Sequence, residues 1–272
     1  MCCFDGIIII ILKFEIPTYD IAMKNWNLFT FNKVFFAAYF LLAVINSLAV
    51  FIEDDVFIQS LRPLSIPVLL IFFYLRKNEI NTSMVFFLFF AFLSESAGSI
   101  FSDFNSVCTE SMFLCIAFIQ LIVLMLPRFK FTQFDGLIKV YLLMMFGVAL
   151  FFFKVLYDLV GMPFLEQAEA MFFSAKSMVV VILVFISYGV YLHVQSKQSI
   201  LFLIATVCFG FSNALDYLNF SFVNNLGFLI LNRVIYLLGL YFVFKFIIEE
   251  NNCKVRQEPE IQESFSGDNI LV

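Results

Sequence analysis

Apolar residues in this chain fall into eight long runs, separated by short polar or charged stretches. The runs cover residues 34–52, 61–75, 84–101, 111–126, 137–156, 170–192, 200–220 and 226–248. A helix that crosses a bilayer needs about 20 mostly apolar residues. The pattern therefore predicts an all-α fold, a polytopic membrane helix bundle of about eight transmembrane helices. The run at 61–75 is the shortest. Pro63 suits a first helical turn, whereas Pro67 is expected to kink the helix.

Charges between the runs set an orientation, because basic loops stay on the cytoplasmic side. Lys24 and Lys33 precede the first run, and Arg76 and Lys77 follow the second. Arg128, Lys130 and Lys139 surround the next basic loop, Lys197 follows the sixth run, and Lys245, Lys254 and Arg256 close the eighth. The alternate loops carry acid: Glu53, Asp54 and Asp55, then Asp103 and Glu110, then Asp158, Glu166 and Glu169. Arg62, Lys154, Lys176 and Arg233 break this rule at or within run ends. The alternation predicts both termini on the cytoplasmic side.

The chain is expected to divide into an N-terminal segment at 1–33, a transmembrane domain at 34–249 and a disordered cytoplasmic tail at 250–272. The isoleucine run in residues 1–22 is too short to span and lacks the basic region and cleavage site of a signal peptide. Met23 opens MKNWNLF, so residues 1–22 read as a start-site extension. The tail, EENNCKVRQEPEIQESFSGDN, has the composition of a solvated segment.

Composition agrees with a membrane setting. Of 272 residues, 62% are hydrophobic and 14% charged, and 41 are Phe; a soluble domain is about half apolar and about a quarter charged. Phe here fills the lipid-facing role usually taken by Leu. A net charge of −5, with no basic patch, excludes nucleic acid as a partner. Six cysteines, Cys2, Cys3, Cys108, Cys115, Cys208 and Cys253, form no C-x-x-C pair, and His193 is the single histidine. No converging ligand set predicts a metal. No P-loop, G-x-S-x-G or H-E-x-x-H occurs, and no cofactor is expected.

Ionisable residues at membrane depth usually face a bundle interior or a wet cavity. In FLSESAGSIFSDF, the residues Ser94, Glu95, Gly98, Ser99 and Ser102 recur at spacings of three and four and share a helix face. In CFGFSNALDYLNF, Ser212, Asn213, Asp216 and Asn219 do the same. The eighth run adds Asn232, Arg233 and Tyr236, the first Asn46 and the fourth Gln120. Lys154 and Asp158, one turn apart, are placed to pair. The faces predict either a polar cavity between the third, seventh and eighth spans, or interhelical hydrogen bonds that hold the bundle together. The third and seventh spans hold equivalent places in two four-span halves, as a parallel duplication would leave them.

These segments resemble the YhhN-like family of eight-span membrane proteins, the lysoplasmalogenases. RPLSIPVLL, with Arg62 and Pro63, is similar to the family's K-P-L-x-x-P-L-L. FLSESAGSIF is similar to its F-S-x-x-G-D, and CFGFSNALDYLNF to its G-x-x-x-F-x-x-S-D. YLLGLYFVFKFI, which Tyr236 opens, is similar to the family's final Tyr-containing helix. The resemblance spans residues 30–248. It implies hydrolysis of the vinyl-ether bond of lysoplasmalogens to an aldehyde and a glycerophospho-alcohol, with a lysophospholipid as the membrane-lipid partner and a bacterial inner membrane as the location. Vinyl-ether cleavage needs a carboxylic acid to protonate the double bond and a carboxylate to support charge or water.

The family's two aspartates fall on Ser99 and Asn213 here. Glu95 and Asp216 are the catalytic candidates that remain. Glu95 lies four residues before Ser99 and Asp216 three after Asn213, so at 1.5 Å per residue they are offset by roughly 10 Å along parallel helices. A direct dyad is not expected from that spacing. The remaining readings are a non-catalytic lipid-binding protein and a small-solute carrier that uses Glu95.

Overall fold

The computed structural model describes residues 28–49, 62–75, 81–100, 106–130, 136–160, 167–221 and 226–266. Every regular element among them is helical. The α-helices are α1 (Leu28–Ala49), α2 (Ser65–Leu75), α3 (Thr82–Ile100), α4 (Ser106–Met125), α5 (Gly136–Val160), α6 (Gln167–Val194), α7 (Lys197–Ser221) and α8 (Leu226–Ser266). A 3-10 turn at Arg62–Leu64 leads into α2, and another at Leu126–Arg128 leaves α4. Each of the eight apolar runs coincides with one helix. Five of them, α4 to α8, are long and apolar enough to cross a membrane. The apolar stretches described in α1, α2 and α3 are shorter: Phe35–Leu48, Arg62–Ile71 and Thr82–Ala97.

The chain forms two compact units, Met1–Ala38 and Tyr39–Val272. The described part of the first is the opening of α1, and the second holds every other helix. Within the second unit, α8 lies along α7, α7 along α6, α6 along α4 and α4 along α3, while α5 rests on α6 and α7. Phe209 of α7 sits at the junction. Its ring lies 6.3 Å from Phe87 of α3, 5.3 Å from Phe118 of α4 and 5.7 Å from Tyr236 of α8. Gly239 of α8 lets this ring in: a Cβ there would lie 2.7 Å from a Phe209 ring carbon. Small residues permit such close helix approach in membranes, where no hydrophobic force draws helices together. Phe is thus not confined to a lipid-facing role. Phe87, Phe118, Phe173, Phe202, Phe209 and Phe246 are core residues, whereas Phe86, Phe89, Phe151, Phe152 and Phe211 are exposed.

The link between α6 and α7 is two residues long. Gln195 takes a left-handed φ of 45°, a conformation that costs a non-glycine residue about 1–2 kcal/mol, and its N–H donates to the Tyr191 carbonyl at 3.0 Å. Ser196 then caps α7: the Ser199 N–H donates to Ser196 Oγ at 3.2 Å, and the Ser196 N–H to Ser199 Oγ at 3.0 Å. Two orphan donors are satisfied reciprocally, as in a capping box.

Three expectations are corrected. Pro67 does not kink a helix, because α2 starts at Ser65 and Pro67 falls among the first four residues, whose N–H groups need no intrahelical partner. The stretch from 250 onward, read as a disordered tail, continues as helix to Ser266. Its Glu, Lys, Arg and Gln are good helix formers, and extending an existing helix avoids the cost of a new nucleus. Lys154 and Asp158 are both exposed and form no ion pair among the described residues; at an exposed site such a pair gains little. Residues 1–22, the loop acids Glu53, Asp54, Asp55, Asp103 and Glu166, and the basic Arg76 and Lys77 lie outside the described residues.

Candidate functional site: a charge cluster between the helices

The serines and amides divide between bonds within their own helix and bonds to a neighbouring helix. Ser94 of α3 is buried and donates to the Glu110 carbonyl of α4 at 2.9 Å. Ser96, Ser177 and Ser187 donate back to the carbonyl four residues earlier in their own helices. The buried Asn213 of α7 donates through Nδ2 to Ser177 Oγ of α6 at 2.8 Å, and its Oδ1 is enclosed without a partner. The surroundings of Gly98 and the side chain of Ser99 lie outside the described set.

One network joins α6, α7 and α8. Ser212 Oγ donates to Asn232 Oδ1 at 2.5 Å, and Asn232 Nδ2 donates to Asp216 Oδ1 at 2.5 Å. Lys176 Nζ donates to Asp216 Oδ2 at 3.1 Å and also sits 4.5 Å above the Phe173 ring. Lys176 is only 3% exposed, and Asp216 is 27% exposed. Both carboxylate oxygens of Asp216 are therefore occupied, one by a cation and one by an amide. A carboxylate held on both oxygens serves as a structural anchor.

Glu95 stands differently. It is partly buried on α3, in the electrostatic field of Arg62, Glu110, Arg233 and Asp216. Arg62, in the turn before α2, lies 3.9 Å from Glu110 of α4. Arg233 of α8 is nine-tenths buried; its Nη1 donates to the Asn46 carbonyl of α1 at 3.4 Å, and its Nε has no partner. The Tyr236 hydroxyl lies beside Glu95, enclosed without a hydrogen bond of normal geometry. The Tyr39 hydroxyl of α1 donates to the Leu237 carbonyl, and its ring lies tilted 5.6 Å from that of Tyr241. Two arginines, two glutamates and two tyrosines from α1, α3, α4, α8 and the turn before α2 thus share one field within the bundle.

The sequence candidates fall into three groups. Arg62, Glu95, Arg233 and Tyr236 come together, with Pro63 fixing the turn that carries Arg62. Ser212 and Asp216 join a different network, and Asn213 a third contact. Glu95 and Asp216 interact through their charges but share no hydrogen bond among the described residues. Lys176 was read as a span-end exception to the loop charges, and Glu110 as a loop acid; the structure puts both on helices beside the cluster. A lysine inside an apolar run, with a lone aspartate inside another, is the signal that would have matched Lys176 to Asp216. Cys108, Cys115 and Cys208 are free thiols, and no group of His, Cys, Asp and Glu among the described residues could hold a metal.

The long apolar helices and the charges enclosed between them define an integral membrane protein of the helical class. Comparison with protein-family models, with curated proteins and with solved structures finds no match.

Proposed function

We propose that this chain is a YhhN-like protein of a bacterial inner membrane, spanning it eight times with both termini cytoplasmic, that binds a lysoplasmalogen-type lipid at the Glu95 cluster and cleaves its vinyl ether slowly. The observation that carries this reading is Arg233, nine-tenths buried with Nε unpaired, in one field with Arg62 and Glu95. A cation held inside an apolar bundle marks a substrate or ion site, and guanidinium groups suit the phosphate of a lysophospholipid. Glu95 is the carboxyl group left free to act. In its acid form it would give its proton to the vinyl carbon farther from the ether oxygen, leaving an oxocarbenium ion. Water would then add to the oxocarbenium carbon and lose a proton, and the hemiacetal would collapse to aldehyde and glycerophospho-alcohol.

The rate is low because the family's carboxylate positions hold Ser99 and Asn213, and Asp216 is tied to Lys176 and Asn232. A positioned acid or base contributes about 10²–10⁴-fold. The test is aldehyde release from lysoplasmalogen by detergent-purified protein, alongside lysolipid binding by native mass spectrometry. Slow release should vanish in Glu95→Gln, and Ser99→Asp with Asn213→Asp should raise it per folded molecule. That normalisation matters. Asn213→Asp removes the donor to Ser177 Oγ, and an unmet buried polar group costs about 1–3 kcal/mol. Binding without release from any form would favour a non-catalytic lipid-binding protein, a reading that the occupied Asp216 supports. Absence of both binding and release would overturn the proposal.

A further inference from the structure

We propose a second lipid site, separate from the Glu95 cluster: the pocket where α4, α6 and α7 end together holds the headgroup of an anionic phospholipid. The pocket has a volume of about 350 Å³, within the usual range for small-molecule sites. Arg128, Lys130, His193 and Gln198 line it, beside the Ser196–Ser199 turn, whose hydroxyls bond within the turn. Arg128 is held in place by Glu250 at 2.5 Å and by the Phe246 ring, 5.7 Å away. That pair cancels its own charges, so the positive charge left for a headgroup is that of Lys130. Lys130 is exposed and forms no ion pair among the described residues.

The surroundings point to a lipid and not to free phosphate. Val194 lines the same pocket and is 47% exposed, and Leu126, which opens the turn carrying Arg128, is 53% exposed. Basic groups directly beside exposed apolar side chains, at the ends of apolar helices, match the level where headgroup meets acyl chain. Basic pockets between transmembrane helices are known binding places for anionic headgroups.

The experiment reconstitutes the full chain in vesicles of mixed phosphatidylcholine and phosphatidylglycerol, extracts it gently and counts retained lipid by native mass spectrometry. Phosphatidylglycerol should be retained in preference. Lys130→Gln, at an exposed position that should not disturb folding, should weaken its retention about five-fold, the effect of one basic residue at an anionic surface. Excess inorganic phosphate should not displace it. Equal retention of the two lipids, or no effect of Lys130→Gln, would overturn the proposal. Displacement by inorganic phosphate would do so too, by assigning the pocket to a soluble anion.

Discussion

Removing the Asp216 carboxylate should destabilise the protein far more than it alters any chemistry. Lys176 is 3% exposed and pairs with Asp216 at 3.1 Å. In Asp216→Ala the ammonium stays buried beside the Phe173 ring without a counter-charge. Breaking a buried pair from one side costs about 3–5 kcal/mol. Asp216 is 27% exposed, which moderates the loss, so about 3 kcal/mol is expected, roughly two orders of magnitude in the folding equilibrium. Lys176→Met removes the cation instead. It leaves Asp216 with its Asn232 bond and partial access to water, so the expected loss is smaller, about 1.5–2 kcal/mol, the low end for a hydrogen bond to a charged group. The double variant should lose less than the sum of the two, because replacing both partners by apolar groups is often close to neutral. Reversible unfolding of purified protein in mixed micelles, read as a double-mutant cycle, measures the coupling. Additive losses, or an Asp216→Ala protein as stable as the parent, would refute the pairing and return Asp216 to the list of free acids.

Two further outcomes are expected. Gly239→Ala should lower stability by about 1–3 kcal/mol, since the new methyl would meet the Phe209 ring at 2.7 Å and that ring is already packed by Phe87, Phe118 and Tyr236; the same unfolding assay reports it, and an unchanged midpoint would show that Phe209 has room to move. Topology reporters fused after Lys77 and within residues 53–55 should read opposite sides of the membrane, because the first follows a basic loop and the second an acidic one; both on one side would break the count of eight spans.

The sequence by itself determined the class of the protein and, among the described residues, where its helices fall. Eight apolar runs became eight helices because backbone groups in an apolar setting must pair within their own segment, and that demand is local. The polar positions were legible for the same reason. Spacings of three and four place Ser212, Asn213 and Asp216 on one side of a helix whatever surrounds it. Helix limits were less so. Pro67 and the stretch after residue 250 were misread because one or two turns of position change what a proline or a charged residue costs. Only the tertiary structure decided which helices meet, and therefore which charges share a site. Lys176 and Asp216 lie 40 residues apart, Arg62 and Glu110 are on separate elements, and Phe209 joins four helices at a point that periodicity cannot name. Within one helix the sequence gives a direction for each side chain, but a counter-charge is a fact of two helices. In an apolar bundle that partner decides whether a carboxylate is an anchor, as Asp216 is, or lies in the field of arginines beside a tyrosine hydroxyl, as Glu95 does.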